Sequence, residues 1–239
     1  MSEFAELQDK LLVRCFSKQK YLDDFLSGKC VHMGSAENYW KMENGFQGDP
    51  FDCAVISLND DIKWSMWIGD DHPRVKICDA ESFSIGVDAF LYCMFAVPKT
   101  LFSVRTGTLY IDEDSNYHDD FFRFLDEYAK TKEHVFVCAF DAASFMLRIT
   151  NRLREKGLSY TAGYVTYKNN SFADRISSFS QKRIDDIVFT KQESYQYQRE
   201  YRIAVKHKMD VNHIDIDGVC MNDIVFFNGE YHSLYEADK

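Results

Sequence analysis

The stretch KQESYQYQREYRIAV, Lys191–Val205, concentrates polar and aromatic side chains and then changes to an alternating pattern. Alternation of apolar with other side chains is typical of a strand with one buried face, and here the apolar set is Tyr201, Ile203 and Val205. Gln198, Glu200 and Arg202 then fall on the other face, about 7 Å apart. A row of this kind is typical either of a solvent-facing surface or of an active site, and the sequence leaves both open.

Composition predicts one folded domain spanning residues 1–239. The chain is 46% hydrophobic and 15% aromatic, which favours a compact globule over a disordered chain. It has only three prolines and eleven glycines, so we expect no flexible linker between separate domains.

Charge and hydropathy exclude several classes of function. The formal net charge of −10 argues against a nonspecific nucleic-acid or membrane-surface role. No apolar run approaches the roughly 20 residues of a membrane-spanning helix. The acidic N-terminal segment MSEFAELQDK does not resemble a secretion signal. These features predict a cytoplasmic protein.

The seven cysteines are dispersed and stand mostly within apolar, strand-like runs. An odd number of scattered cysteines predicts reduced thiols, as in a cytoplasm. Neither a CxxC pair nor an HxxxH pair is present, so we predict no metal site.

The periodicities along the chain predict an α+β fold, strand-rich, with mixed or antiparallel sheets and inserted helices. Helices are predicted over 18–27, 115–131 and a segment that Asp141 caps and Gly157 ends. Strands are predicted over 11–16, 30–34, 134–140, 159–167 and 186–190, with a β meander over 53–110. The segment 43–53 is predicted to be an irregular loop.

Two segments resemble an uncharacterised bacterial and phage family. The first is FLSGKCVHMGSAENYWKMENGFQGDPFD, residues 25–52, in which an aromatic pair near an acid precedes Gly-Asp and a further acid. The second is FTKQESYQYQREYRIAV, which matches a Lys followed by Glu-Tyr-Arg-Ile. The resemblance covers about a fifth of the chain and implies a bacterial or phage protein without assigning an activity.

A looser resemblance is to ADP-ribosyltransferases. Those enzymes carry an Arg on an early strand, a Ser-Thr-Ser on a middle strand, and a catalytic Glu within Gln/Glu-x-Glu on a late strand. Here Arg14 stands on the first predicted strand and Gln198-Arg199-Glu200 supplies the late triplet. Ser178-Phe179-Ser180 occupies the middle position, but with Phe at its centre.

That resemblance implies NAD as cofactor, and seven residues form the predicted site. Glu200 would stabilise the positive charge that develops on the ribose, and Gln198 would orient the acceptor. Arg14 would hold the pyrophosphate through charge-assisted hydrogen bonds. Stacking on the nicotinamide falls to Tyr195 or Tyr197. The remaining members of the predicted cofactor-binding set are Lys191 and Arg202.

The sequence therefore predicts two alternative functions. One is an NAD-dependent, ADP-ribosyltransferase-like enzyme that modifies a protein or a nucleic acid, with Arg14 and Glu200 in one cleft. The other is a non-enzymatic protein of defence or counter-defence that binds a partner protein or a small nucleotide. For Glu200 and Arg202 the alternative is an exposed salt bridge, and for Lys191 it is a surface lysine.

Overall fold

The computed structural model describes residues 4–36, 54–56, 85–87, 89–105, 108–130, 132–169, 171–181, 183–206 and 211–231. The α-helices are α1 Gln19–Leu26, α2 His118–Ala129, α3 Ala142–Glu155, α4 Phe172–Ser180 and α5 Ile184–Val188. The first seven strands are β1 Lys10–Phe16, β2 Val31–Ser35, β3 Ala54–Ile56, β4 Ile85–Gly86, β5 Ala89–Pro98, β6 Phe102–Arg105 and β7 Thr108–Ile111. The others are β8 Val135–Asp141, β9 Tyr160–Tyr164, β10 Thr166–Tyr167, β11 Thr190–Lys191, β12 Glu200–Lys206, β13 His213–Ile216 and β14 Val225–Tyr231.

Strand β5 is the centre of an eight-stranded sheet, because it pairs antiparallel with β1, β2 and β12. On β5, β1 pairs with residues 95–98, β2 with residues 90–91, and β12 with residues 89–95. Since only the β12 register overlaps the other two, β1 and β2 share one edge of β5 and β12 takes the other. The sheet therefore forks along β5, and its longest path is β13-β2-β5-β1-β8-β14.

Each face of this sheet is covered by its own helices. On one face, which we call the α1/α3 face, side chains such as Leu12 and Ala96 pack in one cluster with residues of α1 and α3. On the opposite α2/α5 face, Val13 and Phe95 pack with residues of α2. Further along that face, Ala204 packs with residues of α5.

The predicted α+β class is confirmed, and several element ends lie where the sequence places them. Asp141 caps α3 by accepting a hydrogen bond from the amide of Ser144, 2.9 Å away. Gly28 and Gly157, which follow α1 and α3, adopt the left-handed backbone conformation with φ of 73° and 68°.

One predicted strand is wrong, since most of the segment 186–190 belongs to helix α5 and only Thr190 begins a strand. A short apolar run fits a strand and a helix equally well, and here Asp185 and Asp186 occupy the first helical turn. The predicted loop 43–53 and most of the meander before residue 85 lie outside the described residues.

Among the helices in the described part of the chain, none combines the length and the apolar character that crossing a bilayer requires.

Candidate functional site

Strand β12 brings two charged side chains into the interior of the protein. Both of its edges are paired, one with β5 and the other with β9. Glu200 and Arg202 are two residues apart and so share the α2/α5 face, where they are 5% and 0% exposed. Lys191 on β11 is 5% exposed. The exposed salt bridge and the surface lysine that the sequence also allows are therefore wrong.

Lys191, Gln198, Glu200 and Arg202 form one buried network, which we call the ionic cluster. One Glu200 carboxylate oxygen accepts hydrogen bonds from Nη2 and Nε of Arg202, at 2.9 and 3.2 Å. The other oxygen lies 3.4 Å from Lys191 Nζ, which also donates to Gln198 Oε1 at 2.7 Å. Arg202 Nη1 donates to the carbonyl of Val188, the last residue of α5. A cation is favourable at a helix C-terminus.

Among its four residues the ionic cluster has two cations, Lys191 and Arg202, and one carboxylate, Glu200. Burial by itself would raise the pKa of Glu200. The charges of Arg202 and Lys191 outweigh that effect and lower the pKa to about 2. Glu200 is therefore ionised at neutral pH, and its negative charge is already balanced by its own neighbours.

The predicted row of three polar side chains on one strand is only partly correct. Gln198 is the last residue of a 3-10 helix, Glu193–Gln198, and not part of β12. Arg199 then turns the chain into the strand with φ 38° and ψ 50°, a left-handed conformation that is rare for a residue with a side chain. Gln198 reaches the ionic cluster through this turn and not through strand alternation.

Arg14 does not meet Glu200, and the predicted cleft that contains both is wrong. The register of β5 places Phe95 opposite Val13 on β1 and opposite Glu200 on β12. Val13 and Glu200 therefore share the α2/α5 face, while Arg14, one residue further, points to the α1/α3 face. There its guanidinium lies 4.8 Å from the ring centre of Tyr92 and donates to the carbonyl of Cys93, at the fork of the sheet.

The two tyrosines predicted to stack on a nicotinamide have different surroundings. Tyr197 is 8% exposed and packs in the core with residues of α2, and the Arg123 guanidinium lies 3.9 Å from its ring centre. Tyr195 lies against Lys191, with Nζ 5.0 Å from the centre of its ring. The Ser178-Phe179-Ser180 segment is helical, in α4, so the middle-strand position that the resemblance implies is also wrong.

A cleft of about 420 Å³ lies beside the ionic cluster, and we call it the tyrosine cleft. It is bordered where β1 and β12 begin and where β9 ends. Glu200 lines it, so the residue belongs to both features. The other charged and ring-bearing residues that line it are Glu6, Lys10, Tyr117, Tyr164, Tyr167 and Arg199. A cleft of this volume is in the range of small-molecule sites.

Tyr117 and Tyr167 connect the cleft to its surroundings. The centre of the Tyr117 ring is 4.2 Å from the Arg199 guanidinium and 5.6 Å from Lys10 Nζ, so the ring holds both cations in place. The Tyr167 hydroxyl accepts a hydrogen bond from the backbone amide of Glu200 at 2.8 Å. Burial, followed by the nearby Glu200 charge, raises the pKa of Tyr167 above its usual range, so this phenol stays neutral.

None of the side chains that give the cleft its aromatic and basic character is a predicted site residue. Tyr117 lies in the predicted helix 115–131, and Tyr164 and Tyr167 lie in the predicted strand 159–167, where tyrosine is common. No spacing links these segments to Lys10 at the other end of the chain, so sequence alone carries no signal for this site.

The backbone at Arg199 gives the first testable prediction. Its side chain is fixed by an ion pair with Asp120 and by a hydrogen bond to the carbonyl of Asn116, which hold the left-handed turn. Arg199→Ala and Arg199→Gly both remove these contacts, but only alanine keeps the left-handed penalty. We expect the glycine variant to be the more stable by about 1 kcal/mol. Urea unfolding of both variants measures the difference, and an alanine variant of equal or greater stability would contradict the assignment.

The chain matches no protein-family model, and neither a curated protein nor a solved structure is significantly similar to it.

Proposed function

We propose that the protein binds a small ligand of the nucleotide class, with a planar ring and an anionic group, in the tyrosine cleft. One observation carries this proposal: three tyrosines and two basic side chains from separate parts of the chain converge on one cavity. Aromatic rings stack on any nucleobase, because every base has a flat π face. Lysine and arginine bind phosphate.

Tyr164 is the side chain best placed to receive a ring. It is 44% exposed, although one side of it packs edge-on against buried Tyr201, with ring centres 5.0 Å apart. The packed side fixes the orientation of the ring and leaves area open to a ligand. An exposed aromatic surface that is held rigid loses little entropy when a ligand stacks on it.

Lys10 is the cation best placed to receive an anion. Within the described residues no carboxylate lies at ion-pair distance from it, whereas Arg199 is paired with Asp120. The chain as a whole has a net charge of −10, which disfavours general attraction of anions. Binding of a phosphate therefore depends on these local cations, which favours a small ligand over a long polyanion.

The NAD-dependent transfer that the sequence suggests stays a prediction, and the charges near Glu200 argue against it. A carboxylate assists cleavage of a nicotinamide–ribose bond by stabilising the developing positive charge. Glu200 is already engaged by Lys191 and Arg202, and Arg14 faces the other side of the sheet. NAD is nevertheless a nucleotide, and we expect the protein to bind it without releasing nicotinamide.

The test is a thermal-shift and calorimetric titration of the full chain with AMP, ADP, ATP, NAD and inorganic phosphate. A ligand that binds only the native state at a hundred times its dissociation constant stabilises it by about 2.7 kcal/mol. Tyr164→Ala is expected to lose about 1–3 kcal/mol of binding free energy, the contribution of stacking on one base. Lys10→Ala is expected to weaken phosphate-bearing ligands and to leave free nucleosides unaffected.

An exposed tyrosine–lysine pair away from the cleft provides matched controls. Tyr21 lies on α1 and Lys18 directly before the helix, with Lys18 Nζ 5.6 Å from the centre of the Tyr21 ring. Tyr21→Ala and Lys18→Ala should leave binding unchanged. The proposal is wrong if no nucleotide raises the melting temperature, or if Tyr164→Ala and Lys10→Ala bind as the wild type does. Nicotinamide release that disappears in a folded Glu200→Gln variant would establish the transferase instead.

A further inference from the structure

Four potential metal ligands meet at the pair of strands β2 and β13, where His32, His213 and Asp215 lie on the strands and Cys30 directly precedes β2. His32 and Asp215 are directly opposite each other in the register, and His213 is opposite Gly34. Alternation along β13 places His213 on the side of Asp215, and the Cys30 thiol is on that side too, because it donates a hydrogen bond to Asp215. Side chains in such cross-strand positions lie close enough to share one ion.

The donor atoms of these side chains already converge on the carboxylate of Asp215. Its Oδ1 is 2.9 Å from Nδ1 of His32 and 3.2 Å from Sγ of Cys30. Its Oδ2 is 3.9 Å from Nε2 of His213. The two imidazole rings lie side by side, with centres 4.6 Å apart. Donor atoms around a tetrahedral zinc ion stand roughly 3.3–3.6 Å apart, given bonds of about 2.0–2.3 Å.

We propose that Cys30, His32, His213 and Asp215 bind one Zn²⁺ ion. A thiolate and a carboxylate neutralise its two positive charges, and two neutral imidazoles complete four-fold coordination. Thiolate and imidazole ligands select zinc over magnesium and calcium. The Cys30 thiol gives up its proton to solvent as its sulfur binds the ion.

The side chains are free to adjust to the ion. His32, His213 and Asp215 are each about half exposed, with 59%, 51% and 52% of the side-chain surface accessible. The ligand atoms of Cys30, His32 and Asp215 already lie within 4.8 Å of one another, and the His213 ring would move towards them as the ion binds. The bound ion would cross-link β13, the outermost strand at this end of the sheet, to its neighbour β2.

A set of four protein ligands leaves no open position for a substrate, so the site is of the structural kind. It is separate from the tyrosine cleft, and its ligand differs, so each proposal stands or fails alone. The sequence has neither a CxxC nor an HxxxH pair, and no metal site is predicted from it. Here the ligands come instead as Cys-x-His and His-x-Asp, the spacing that places two side chains of an extended chain on one side.

The experiment is a Co²⁺ titration of the full chain after reduction and treatment with a chelator. We expect the sulfur-to-cobalt charge-transfer band and the strong visible bands of a four-coordinate site to saturate at one equivalent. Added Zn²⁺ should bleach them. Cys30→Ser should abolish the charge-transfer band, and His213→Ala should weaken Zn²⁺ binding at least tenfold, since even outer-sphere changes cost about 10–100-fold.

Two controls test whether the four residues act together. Cys220 is an exposed free thiol, and Cys220→Ser should retain the band. His134 forms a cross-strand pair with Glu230 at 2.8 Å, and His134→Ala should leave Zn²⁺ affinity unchanged. The proposal is overturned if no charge-transfer band forms, if the band survives in Cys30→Ser, or if Cys220→Ser abolishes it.

Discussion

Glu200→Gln is expected to lower the free energy of unfolding by about 3–5 kcal/mol, the usual cost of removing one partner of a buried ion pair. Glutamine has nearly the shape of glutamate and retains an oxygen that accepts a hydrogen bond. Its lack of charge leaves Lys191 and Arg202 buried, 5% and 0% exposed, without their shared counter-ion. Urea unfolding monitored by circular dichroism measures the loss.

Two further variants separate charge from shape. Asp223 forms a two-point pair with Arg148 at 2.7 Å, but 69% of its side chain is exposed. Asp223→Asn removes the same kind of interaction in solvent, where it matters far less. Replacing Lys191, Glu200 and Arg202 together with apolar residues of similar volume should restore most of the stability, because none of these three charges is then left buried without the others. A loss in Glu200→Gln no larger than that in Asp223→Asn would show that the cluster is hydrated.

The same substitution should change the dependence of stability on pH. In the unfolded chain a glutamate titrates near pH 4.3, whereas folding lowers the pKa of Glu200 to about 2. A depressed folded-state pKa contributes stability above the unfolded value, and that contribution is lost as the pH falls towards 2. From about pH 5 down to pH 2 the wild type should therefore lose stability more steeply than Glu200→Gln. Parallel curves would show that Glu200 is not responsible.

Sequence patterns identify local features of this fold because local physics causes them. The Asp141 cap and the stops at Gly28 and Gly157 depend on a few neighbouring backbone groups. The alternation of β12 likewise follows from its own residues, although it does not say what covers the polar face. In this protein that face is buried too, under Ile187 and Val188 of α5.

Which residues meet across the sheet depends on register, and register is not a local property. Alternation relates positions within one strand, but a shift of one residue between strands moves a side chain to the opposite face. That parity separates Arg14 from Glu200. It also brings Cys30 and His32 to Asp215, 183 residues after His32 in the chain. The tyrosine cleft is non-local for the same reason, since its residues belong to separate strands and turns.

Gly28→Ala is expected to destabilise the protein by about 2–5 kcal/mol, through two effects that add. The first is the left-handed backbone, φ 73°, which costs a residue with a Cβ roughly 1–2 kcal/mol. The second is steric, because the added Cβ would lie 2.7 Å from the Cys220 nitrogen and 2.9 Å from the Val219 carbonyl carbon. Overpacking of this kind costs about 1–3 kcal/mol.

Gly157→Ala isolates the first effect, because Gly157 has φ 68° and an added Cβ would meet no atom within 4 Å. We expect it to cost only about 1–2 kcal/mol, and urea unfolding of both variants gives the difference. The segment near Cys220 cannot easily move away from Gly28. The neighbouring Val219 and Met221 side chains are fully buried, and the Gly218 amide donates to the Gly28 carbonyl at 2.7 Å. Equal losses in the two variants would mean that this segment shifts freely, and the close approach would then contribute nothing to stability.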